Sequence, residues 1–311
     1  MKDWWQVTFP KGRQSITISD AHGYPVQIAY GEIGTGRPLF FLHGMGSWSY
    51  NWRHSIQPLS KHFRVICFDA KGYGFSEKPL LRREHSGHQV IEFERIIQSL
   101  SDEPVAIVAE SLGGLIALAL AQEYPQLIAR LVVVNVPIFA ESLPHWGMSL
   151  LAQTPLEVIQ AIDTLALANL LAPLVREVMA IERRRVLFDP SVLTQEDVYW
   201  MTYPYIELRG TLTKVAEEVQ IAVREIENLK ANKPNLLSRI QNNLSSIHCP
   251  TLVLWGKQDS WFPATHGEKL HQHLPNSRLE ILPNCCHDAS TGASKVLNAA
   301  ILEFLQDTQF C

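Results

Sequence analysis

Hydrophobic and polar residues follow two different patterns along this chain. Residues 15–19 and 24–30 alternate between apolar and polar side chains, and Asp20-Ala21-His22-Gly23 stands between them, which predicts a β-hairpin. Six other runs are apolar almost throughout, a pattern typical of strands that are buried on both faces of a sheet. These runs are 38–42, 64–69, 105–110, 131–136, 251–256 and 279–282.

Helical patterns separate these buried runs, at residues 51–61, 86–100, 112–124 and 289–305. Strands that alternate with helices predict an α/β fold with a mostly parallel sheet between layers of helices. The alternation stops between residues 138 and 248, where helical patterns such as 211–230 occur without a convincing buried strand. We therefore predict an α/β core made of residues 1–137 and 249–311, and an all-helical cap at 138–248.

A serine stands at the junction between one buried run and the helix that follows it. The run 105–110 leads directly into Ser111, and the helical stretch after it begins Leu112-Gly113-Gly114. A sharp turn from strand to helix strains the backbone of the residue at its apex and exposes that side chain above the sheet. The neighbours must be small so that the strand and the helix can approach each other. Ser111 is therefore a candidate nucleophile.

The segment Ala109-Glu110-Ser111-Leu112-Gly113 resembles the nucleophile elbow of the α/β-hydrolase family, G-x-S-x-G. One position departs from that pattern, because Ala109 stands where the first glycine is usual. The resemblance implies a mostly parallel central sheet flanked by helices, and a serine hydrolase of the branch that includes esterases and C–C bond hydrolases with a helical cap. No aspartate stands at the nucleophile position, which disfavours the alkyl-enzyme route of the family's dehalogenases and epoxide hydrolases.

A serine nucleophile needs a base and a group that orients the base. The family's order along the chain is serine, acid, histidine. Asp259 follows the buried run 251–256, and His287 follows the run 279–282, so both match that order at strand ends. The resemblance implies that His287 is the general base and that Asp259 orients its imidazole. A second departure is Cys286, which stands where a glycine commonly precedes the histidine.

Two backbone amides are expected to stabilise the oxyanion of the tetrahedral intermediate. The Leu112 amide directly follows the nucleophile. His43-Gly44-Met45-Gly46 follows the first buried run and resembles the family's H-G motif, which implies that the Met45 amide is the second donor. His43 itself is expected to shape this loop. The substrate pocket is expected to be apolar, and its candidate lining residues are Trp48, Trp146, Met148, Trp261 and Phe262.

Composition limits the possible partners. The formal net charge of −4 gives no electrostatic basis for binding nucleic acid. The run Arg183-Arg184-Arg185 is expected to cover a solvated helix face, or to extend over apolar surface with the charges in water. No segment has the length of uncharged apolar sequence that spans a bilayer, and neither a signal peptide nor a disulfide framework is evident from the start of the chain or its five cysteines. We expect a cytoplasmic protein that acts on a small apolar molecule without a metal or an organic cofactor.

Three functions fit these motifs. The leading hypothesis is a serine hydrolase that cleaves a carboxylic ester or a related acyl compound through a Ser111-His287-Asp259 triad. The first alternative is a C–C bond hydrolase of the meta-cleavage type, which uses the same triad and needs polar groups in the oxyanion loop and the cap to hold a charged substrate. The second alternative is a ligand-sensing protein of the same fold, in which the triad turns over slowly and the cap signals.

Overall fold

The computed structural model describes residues 2–79 and 83–308 of the chain. In this part of the chain, eight strands form one sheet in the order β1-β2-β4-β3-β5-β6-β7-β8. The strands are β1 Gln14–Ser19, β2 Pro25–Ile33, β3 Pro38–Leu42, β4 Arg64–Phe68, β5 Val105–Glu110, β6 Ile128–Val134, β7 Thr251–Gly256 and β8 Ser277–Leu282. The pairs β1–β2 and β2–β4 are antiparallel, and all other neighbouring strands are parallel.

Helices cover both faces of the sheet and the edge where the parallel strands end. They are α1 Trp4–Thr8, α2 Arg53–Leu59, α3 His88–Leu100, α4 Leu112–Glu123, α5 Trp146–Gln153, α6 Leu156–Thr164, α7 Leu167–Leu170, α8 Ala172–Arg185, α9 Gln195–Glu207, α10 Thr211–Lys230, α11 Leu236–Asn242, α12 Ala264–His273, α13 Ala289–Gly292 and α14 Ser294–Gln306. The predicted α/β fold with a mostly parallel sheet and an all-helical cap is confirmed.

Two apolar layers lie on opposite faces of the sheet because successive side chains of a strand point in opposite directions. In β3, Phe40 and Leu42 pack into the layer that contains residues of α3, α4 and α12. Leu39 and Phe41 pack into the other layer, with residues of α1, α2 and α14. All five residues of β3 are buried, as its uninterrupted apolar run predicts.

The cap consists of α5 to α11 and is inserted between β6 and β7. Residues 135–250, all of which the structure describes, contain no strand. The longest helix, α10, packs against α5 and α6. Among the described residues, no helix is both long enough and apolar enough to cross a membrane.

Two helices are shorter than the hydrophobic pattern predicts. The predicted helix 51–61 is a 3-10 turn, Ser49–Trp52, followed by α2. The predicted helix 289–305 is divided into α13 and α14, since Ala293 leaves the helical conformation at φ −133° and ψ 27°. Gly292 ends α13 at this point, and glycine is a poor helix former. A pattern of side chains carries little information about such local breaks.

Candidate active site

Ser111 lies between β5 and α4 in a strained conformation, with φ 55° and ψ −124°. Its amide donates a hydrogen bond to the Val134 carbonyl at 2.8 Å, which fixes the turn to β6. A side chain at Gly113 would place its Cβ 2.7 Å from the Leu42 and His43 carbonyl oxygens, so only glycine lets α4 approach β3 this closely. The backbone thus holds the serine hydroxyl at the carboxyl edge of the sheet.

The structure brings the three predicted catalytic side chains into one hydrogen-bonded chain. Ser111 Oγ lies 3.1 Å from Nε2 of His287, and Nδ1 of His287 lies 2.9 Å from Oδ2 of Asp259. Both distances are within hydrogen-bond range. His287 and Asp259 are buried. These groups are separated by 176 and 28 residues along the chain, and they meet because β5, β7 and β8 end at the same edge of the sheet.

Asp259 and His287 are held by the two aromatic residues that follow the aspartate. Oδ1 of Asp259 accepts hydrogen bonds from the amides of Trp261 at 2.8 Å and Phe262 at 3.1 Å. The rings of Trp261 and Phe262 contact the imidazole, with centroid distances of 4.6 and 5.4 Å. One carboxylate oxygen therefore fixes the local turn while the other is left for the imidazole.

The loop that carries His287, between β8 and α13, is fixed by a residue that the sequence patterns did not indicate. Asn135, which directly follows β6, is buried and donates from Nδ2 to the carbonyl oxygens of Cys286 and His287 at 3.1 and 2.7 Å. Its Oδ1 accepts from the Gly256 amide at 2.8 Å. A Cβ at Gly256 would lie 2.5 Å from the Cys286 carbonyl oxygen, so glycine is required there. An asparagine directly after a buried strand was the available signal.

The two predicted oxyanion-hole residues lie beside the nucleophile. Leu112 is the first residue of α4, and Met45 lines both cavities next to Ser111. Within residues 2–79 and 83–308, neither backbone amide has a hydrogen-bond acceptor. His43 shapes the loop as predicted, because its Nε2 accepts from the Ala70 amide at 3.1 Å and its Nδ1 donates to the Gly44 carbonyl at 2.9 Å. Burial lowers the pKa of His43.

Two cavities in the described part of the chain meet at Ser111. Cavity A has a volume of about 140 Å³ and cavity B of about 390 Å³. Met45, Met148 and Trp261 line both cavities, whereas His287 lines cavity B. Aliphatic side chains form part of the wall of both cavities. They include Leu115, Ile116, Ile226 and Leu237 in cavity A, and Val175, Val178, Leu212 and Val219 in cavity B.

Four of the five predicted lining residues reach these cavities, and one does not. Met148 and Trp261 line both, Phe262 lines cavity A and Trp146 lines cavity B. Trp48 lies instead in the apolar layer on the α2 side of the sheet, where only 2% of its surface is exposed. Its ring stacks on Tyr50 and its Nε1 donates to the Trp200 carbonyl at 3.1 Å. The chain turns away from the site after the loop formed by residues 43–46 and before Trp48. Closeness to that loop along the sequence was therefore a misleading indication that Trp48 lines the pocket.

Glu110, the residue before the nucleophile, connects Ser111 to the start of α13, just after His287. Its Oε1 accepts from the amides of Ala289 and Ser290 at 2.8 and 3.1 Å. Its Oε2 accepts from Asn51 Nδ2 at 2.6 Å and from Ser290 Oγ at 2.7 Å. Burial and the neighbouring Asp288 carboxylate raise the pKa of Glu110 to about 7. This carboxyl group thus ties the strand that carries the nucleophile to the segment just after His287.

Replacing Glu110 is expected to reduce kcat with little change in KM. In Glu110→Ala the segment after His287 loses its acceptors, and a displaced imidazole would lower kcat by up to about 100-fold. Glu110→Gln retains the size of the side chain and one acceptor oxygen, so it should recover most of the rate. Steady-state kinetics on a dissolved ester, with circular dichroism to confirm folding, test this. A wild-type kcat in Glu110→Ala would contradict a positioning role.

Arg183 departs from the predicted solvated helix face. Its guanidinium donates to the Gly46 carbonyl at 3.1 Å and lies 3.9 Å from Oδ2 of Asp288, and it lines cavity B. Arg184 and Arg185 are exposed, as predicted. A cation on α8 therefore contacts the oxyanion loop. The sequence does not indicate which of the three arginines faces inward, because that depends on how α8 lies over the sheet.

A buried cluster of charged residues joins the cap to the core and lines part of cavity A. Lys214 Nζ of α10 lies 3.6 Å from both Glu84 and Glu218, and Lys71 Nζ lies 2.9 Å from Glu84. Tyr73 donates to Glu218. Burial raises the pKa of Glu218 to about 7, against the opposing effect of Lys214. Because both lysines pair with carboxyl groups of other segments, the cluster is a structural link that fixes α10 over the sheet.

Two adjacent cysteines, Cys285 and Cys286, directly precede His287. Cys285 and Cys286 are free thiols, and burial raises the pKa of both. Cys286 is not among the residues with positive φ, so the loop accommodates a side chain where glycine is common. Within the described residues, no group of three or more histidine, cysteine, aspartate or glutamate side chains is placed to hold a metal ion.

Comparison with known proteins places this chain in a family. The sequence model of the alpha/beta hydrolase fold matches residues 37–291. The chain is 26% identical over 301 residues to a 2-hydroxy-6-oxononadienedioate/2-hydroxy-6-oxononatrienedioate hydrolase of Comamonas testosteroni, which covers 93% of this chain and 95% of the relative. It is 25% identical over 295 residues to a 2-hydroxy-6-oxo-6-phenylhexa-2,4-dienoate hydrolase of Burkholderia cepacia. That match covers 93% of this chain and 95% of the relative.

A solved structure gives the same fold. An esterase of Thermogutta terrifontis superposes with a TM-score of 0.67 at 21% identity, over 94% of this chain and 98% of that one. The chain therefore belongs to the alpha/beta hydrolase fold family, and it is a hydrolase of the serine-nucleophile branch. A small molecule is its substrate.

Proposed function

We propose that the protein cleaves carboxylic esters or related acyl compounds with an apolar moiety, through an acyl-enzyme formed on Ser111. One observation carries this proposal, namely the hydrogen-bonded chain from Ser111 Oγ through the imidazole of His287 to the carboxylate of Asp259. We further propose that residues 138–248 form the cap and that residues 1–137 and 249–311 form the core. A cytoplasmic location stays a prediction.

The proposed reaction has two stages. Ser111 Oγ attacks the carbonyl carbon of the substrate while Nε2 of His287 takes the hydroxyl proton, and Asp259 stabilises the resulting imidazolium. The Met45 and Leu112 amides donate to the oxyanion. His287 then returns the proton to the leaving group, and the carbonyl re-forms as the acyl-enzyme. In the second stage His287 takes a proton from water, hydroxide adds to the acyl carbon, and Ser111 leaves with that proton.

The two cavities suggest how a substrate is oriented across Ser111. Because His287 must protonate the leaving group, that group has to lie on the side of the imidazole, which is cavity B. The acyl chain then occupies cavity A, whose walls next to Ser111 are aliphatic. The aliphatic side chains in both cavities support a small-molecule substrate with an apolar moiety and do not favour a nucleic acid.

The C–C bond hydrolase remains a second candidate because one observation favours it. Such a substrate carries charge, so it needs a cationic group near the oxyanion loop, and Arg183 of the cap lies there. The relatives from Comamonas testosteroni and Burkholderia cepacia, at 26% and 25% identity, carry the names of hydrolases acting on 2-hydroxy-6-oxo acids. In this candidate the same triad cleaves a carbon–carbon bond next to a ketone.

A substrate series separates the candidates. We expect sustained multiple turnover on p-nitrophenyl esters, measured from acetate to decanoate, with the rate passing through a maximum as the acyl chain fills cavity A. A parallel assay with a 2-hydroxy-6-oxo-dienoate should then give a much lower kcat/KM. The reverse ranking would favour the C–C hydrolase, and a single slow burst without further turnover on either substrate would favour the ligand sensor.

A further inference from the structure

The turn that carries the Met45 amide has little backbone restraint of its own. The Ser47 amide donates to the Gly44 carbonyl at 3.3 Å, which closes a turn over residues 44–47. Gly46 has φ 68°, whereas Met45 is not among the residues with positive φ, so the turn has the form of type II. The glycines on both sides of Met45 allow many backbone conformations. The direction of the Met45 amide therefore depends on contacts from outside the turn.

Hydrogen bonds from the core and from the cap hold the carbonyl groups of the two glycines in this turn. On the core side, Nδ1 of His43 donates to the Gly44 carbonyl at 2.9 Å. On the cap side, the Tyr205 hydroxyl donates to the Gly46 carbonyl at 2.7 Å, and Arg183 donates to the same oxygen at 3.1 Å. Tyr205 belongs to α9 and Arg183 to α8. Two cap helices thus share one acceptor in the turn.

Tyr205 fits this carbonyl in its position and in its protonation state. A Cβ at Gly46 would lie 2.9 Å from the tyrosine hydroxyl oxygen, so this close approach depends on glycine. The side chain of Tyr205 packs against the apolar layer that contains residues of α3, α4 and α12. Burial raises the pKa of Tyr205 to about 12, so the hydroxyl keeps its proton across the pH range of an ester assay. The hydroxyl is therefore a permanent donor to Gly46.

The hydrogen bond of Tyr205 indicates that this residue acts through the turn and not on the substrate. Its hydroxyl hydrogen is used by the Gly46 carbonyl, so it is not free to protonate a leaving group. His287, whose Nε2 lies 3.1 Å from Ser111 Oγ, is placed for that step. Tyr205 also lines cavity B, so a substitution there would change the wall of the pocket as well. An experiment has to separate these two effects.

We propose that Tyr205 is a positioning residue for the oxyanion hole. By holding the Gly46 carbonyl, it directs the Met45 amide toward the oxyanion, so the hole is complete only when the cap lies on the core. This inference rests on the proposed acyl transfer to Ser111 and adds a requirement for the cap to it. The hole stabilises the tetrahedral intermediate and not the bound ester, so a misdirected Met45 amide lowers kcat and leaves KM almost unchanged.

The test compares Tyr205→Phe with the wild type on dissolved p-nitrophenyl butyrate. Loss of the hydroxyl is expected to lower kcat by about ten-fold, which is less than the loss of about 10²- to 10³-fold that follows removal of an oxyanion donor itself. The matched control is Tyr203→Phe on the same helix, which should keep the wild-type kcat. Within residues 2–79 and 83–308, the Tyr203 hydroxyl has no hydrogen-bond partner.

Two ketone inhibitors separate the oxyanion hole from the wall of the pocket. Ser111 Oγ adds reversibly to trifluoromethyl hexyl ketone while its proton passes to His287, and the product is a tetrahedral hemiketal anion whose oxygen needs the hole. Methyl hexyl ketone has the same chain but a less reactive carbonyl, so it binds without forming the adduct. In Tyr205→Phe, the affinity for the fluorinated ketone should fall by the same factor as kcat/KM. The affinity for methyl hexyl ketone should stay nearly unchanged.

Each contrary result has a separate meaning. A wild-type kcat in Tyr205→Phe would overturn the inference and leave the proposed function standing. An equal loss of affinity for both ketones would also overturn it, because Tyr205 would then act as part of the pocket wall. If the wild type does not hydrolyse dissolved esters, the proposed function fails, and the two ketone affinities alone decide whether Tyr205 positions the Met45 amide. Thermal unfolding of both variants confirms that they are folded.

Discussion

Ser111→Ala is expected to lower kcat on a dissolved p-nitrophenyl ester by about 10⁴-fold or more, as loss of the nucleophile does in other triad enzymes. The variant lacks the oxygen that forms the acyl-enzyme, while the amides of Met45 and Leu112 remain in place. Residual activity should therefore be small but above the rate in buffer. Steady-state kinetics at matched protein concentration, with repeated preparations to exclude wild-type contamination, measure the effect.

The control for this prediction is Ser99→Ala, which removes an exposed hydroxyl on α3 that bonds only to the carbonyl of Arg95 within its own helix. It should keep the wild-type rate. Both variants should unfold within a few degrees of the wild type, because neither change opens a cavity in the core. Wild-type turnover in Ser111→Ala would remove Ser111 as nucleophile and leave the proposed mechanism without its first step.

His287→Ala is expected to have a comparable effect, and to act on the reactivity of the serine itself. Without the imidazole 3.1 Å from Ser111 Oγ, the hydroxyl has no base in reach and is a weak nucleophile. Labelling by a fluorophosphonate probe should slow by about 10³-fold or more, in line with the combined contribution of base and nucleophile in triads. Peptide mass spectrometry should locate the wild-type label on Ser111.

The matched control is His273→Ala, at an exposed histidine near the end of α12. Its labelling rate should equal that of the wild type. Unchanged labelling in His287→Ala would show that another group activates the serine. Asp288 is not positioned for that role, because its Oδ1 caps α13 through the Thr291 amide at 3.1 Å.

The parts of the site that could be predicted from the sequence are those fixed by local patterns. Buried apolar runs locate the strands, and parallel strands of one sheet end at a common edge. A serine, an aspartate and a histidine placed just after such runs were therefore expected to meet, and Ser111, Asp259 and His287 do so in the structure. No knowledge of the cap is needed for that inference.

The parts that could not be predicted depend on contacts between distant segments. Glu110 meets Ser290 across 180 residues and Asn51 across 59, and nothing near Glu110 in the sequence indicates either partner. Trp48 was expected to line the pocket but lies in the core, because contacts with α9 set the direction of the chain after Gly46. Likewise, Arg183 differs from Arg184 only in the side of α8 on which it lies.

The left-handed backbone of Ser111 has a consequence for engineering. A non-glycine residue held at φ 55° and ψ −124° destabilises the fold by about 1–3 kcal/mol, whereas glycine adopts such angles freely. Directed evolution toward heat tolerance alone would thus favour glycine at position 111, and the protein would lose its nucleophilic hydroxyl group. Any library screened for thermal robustness has to be scored for catalysis in the same round.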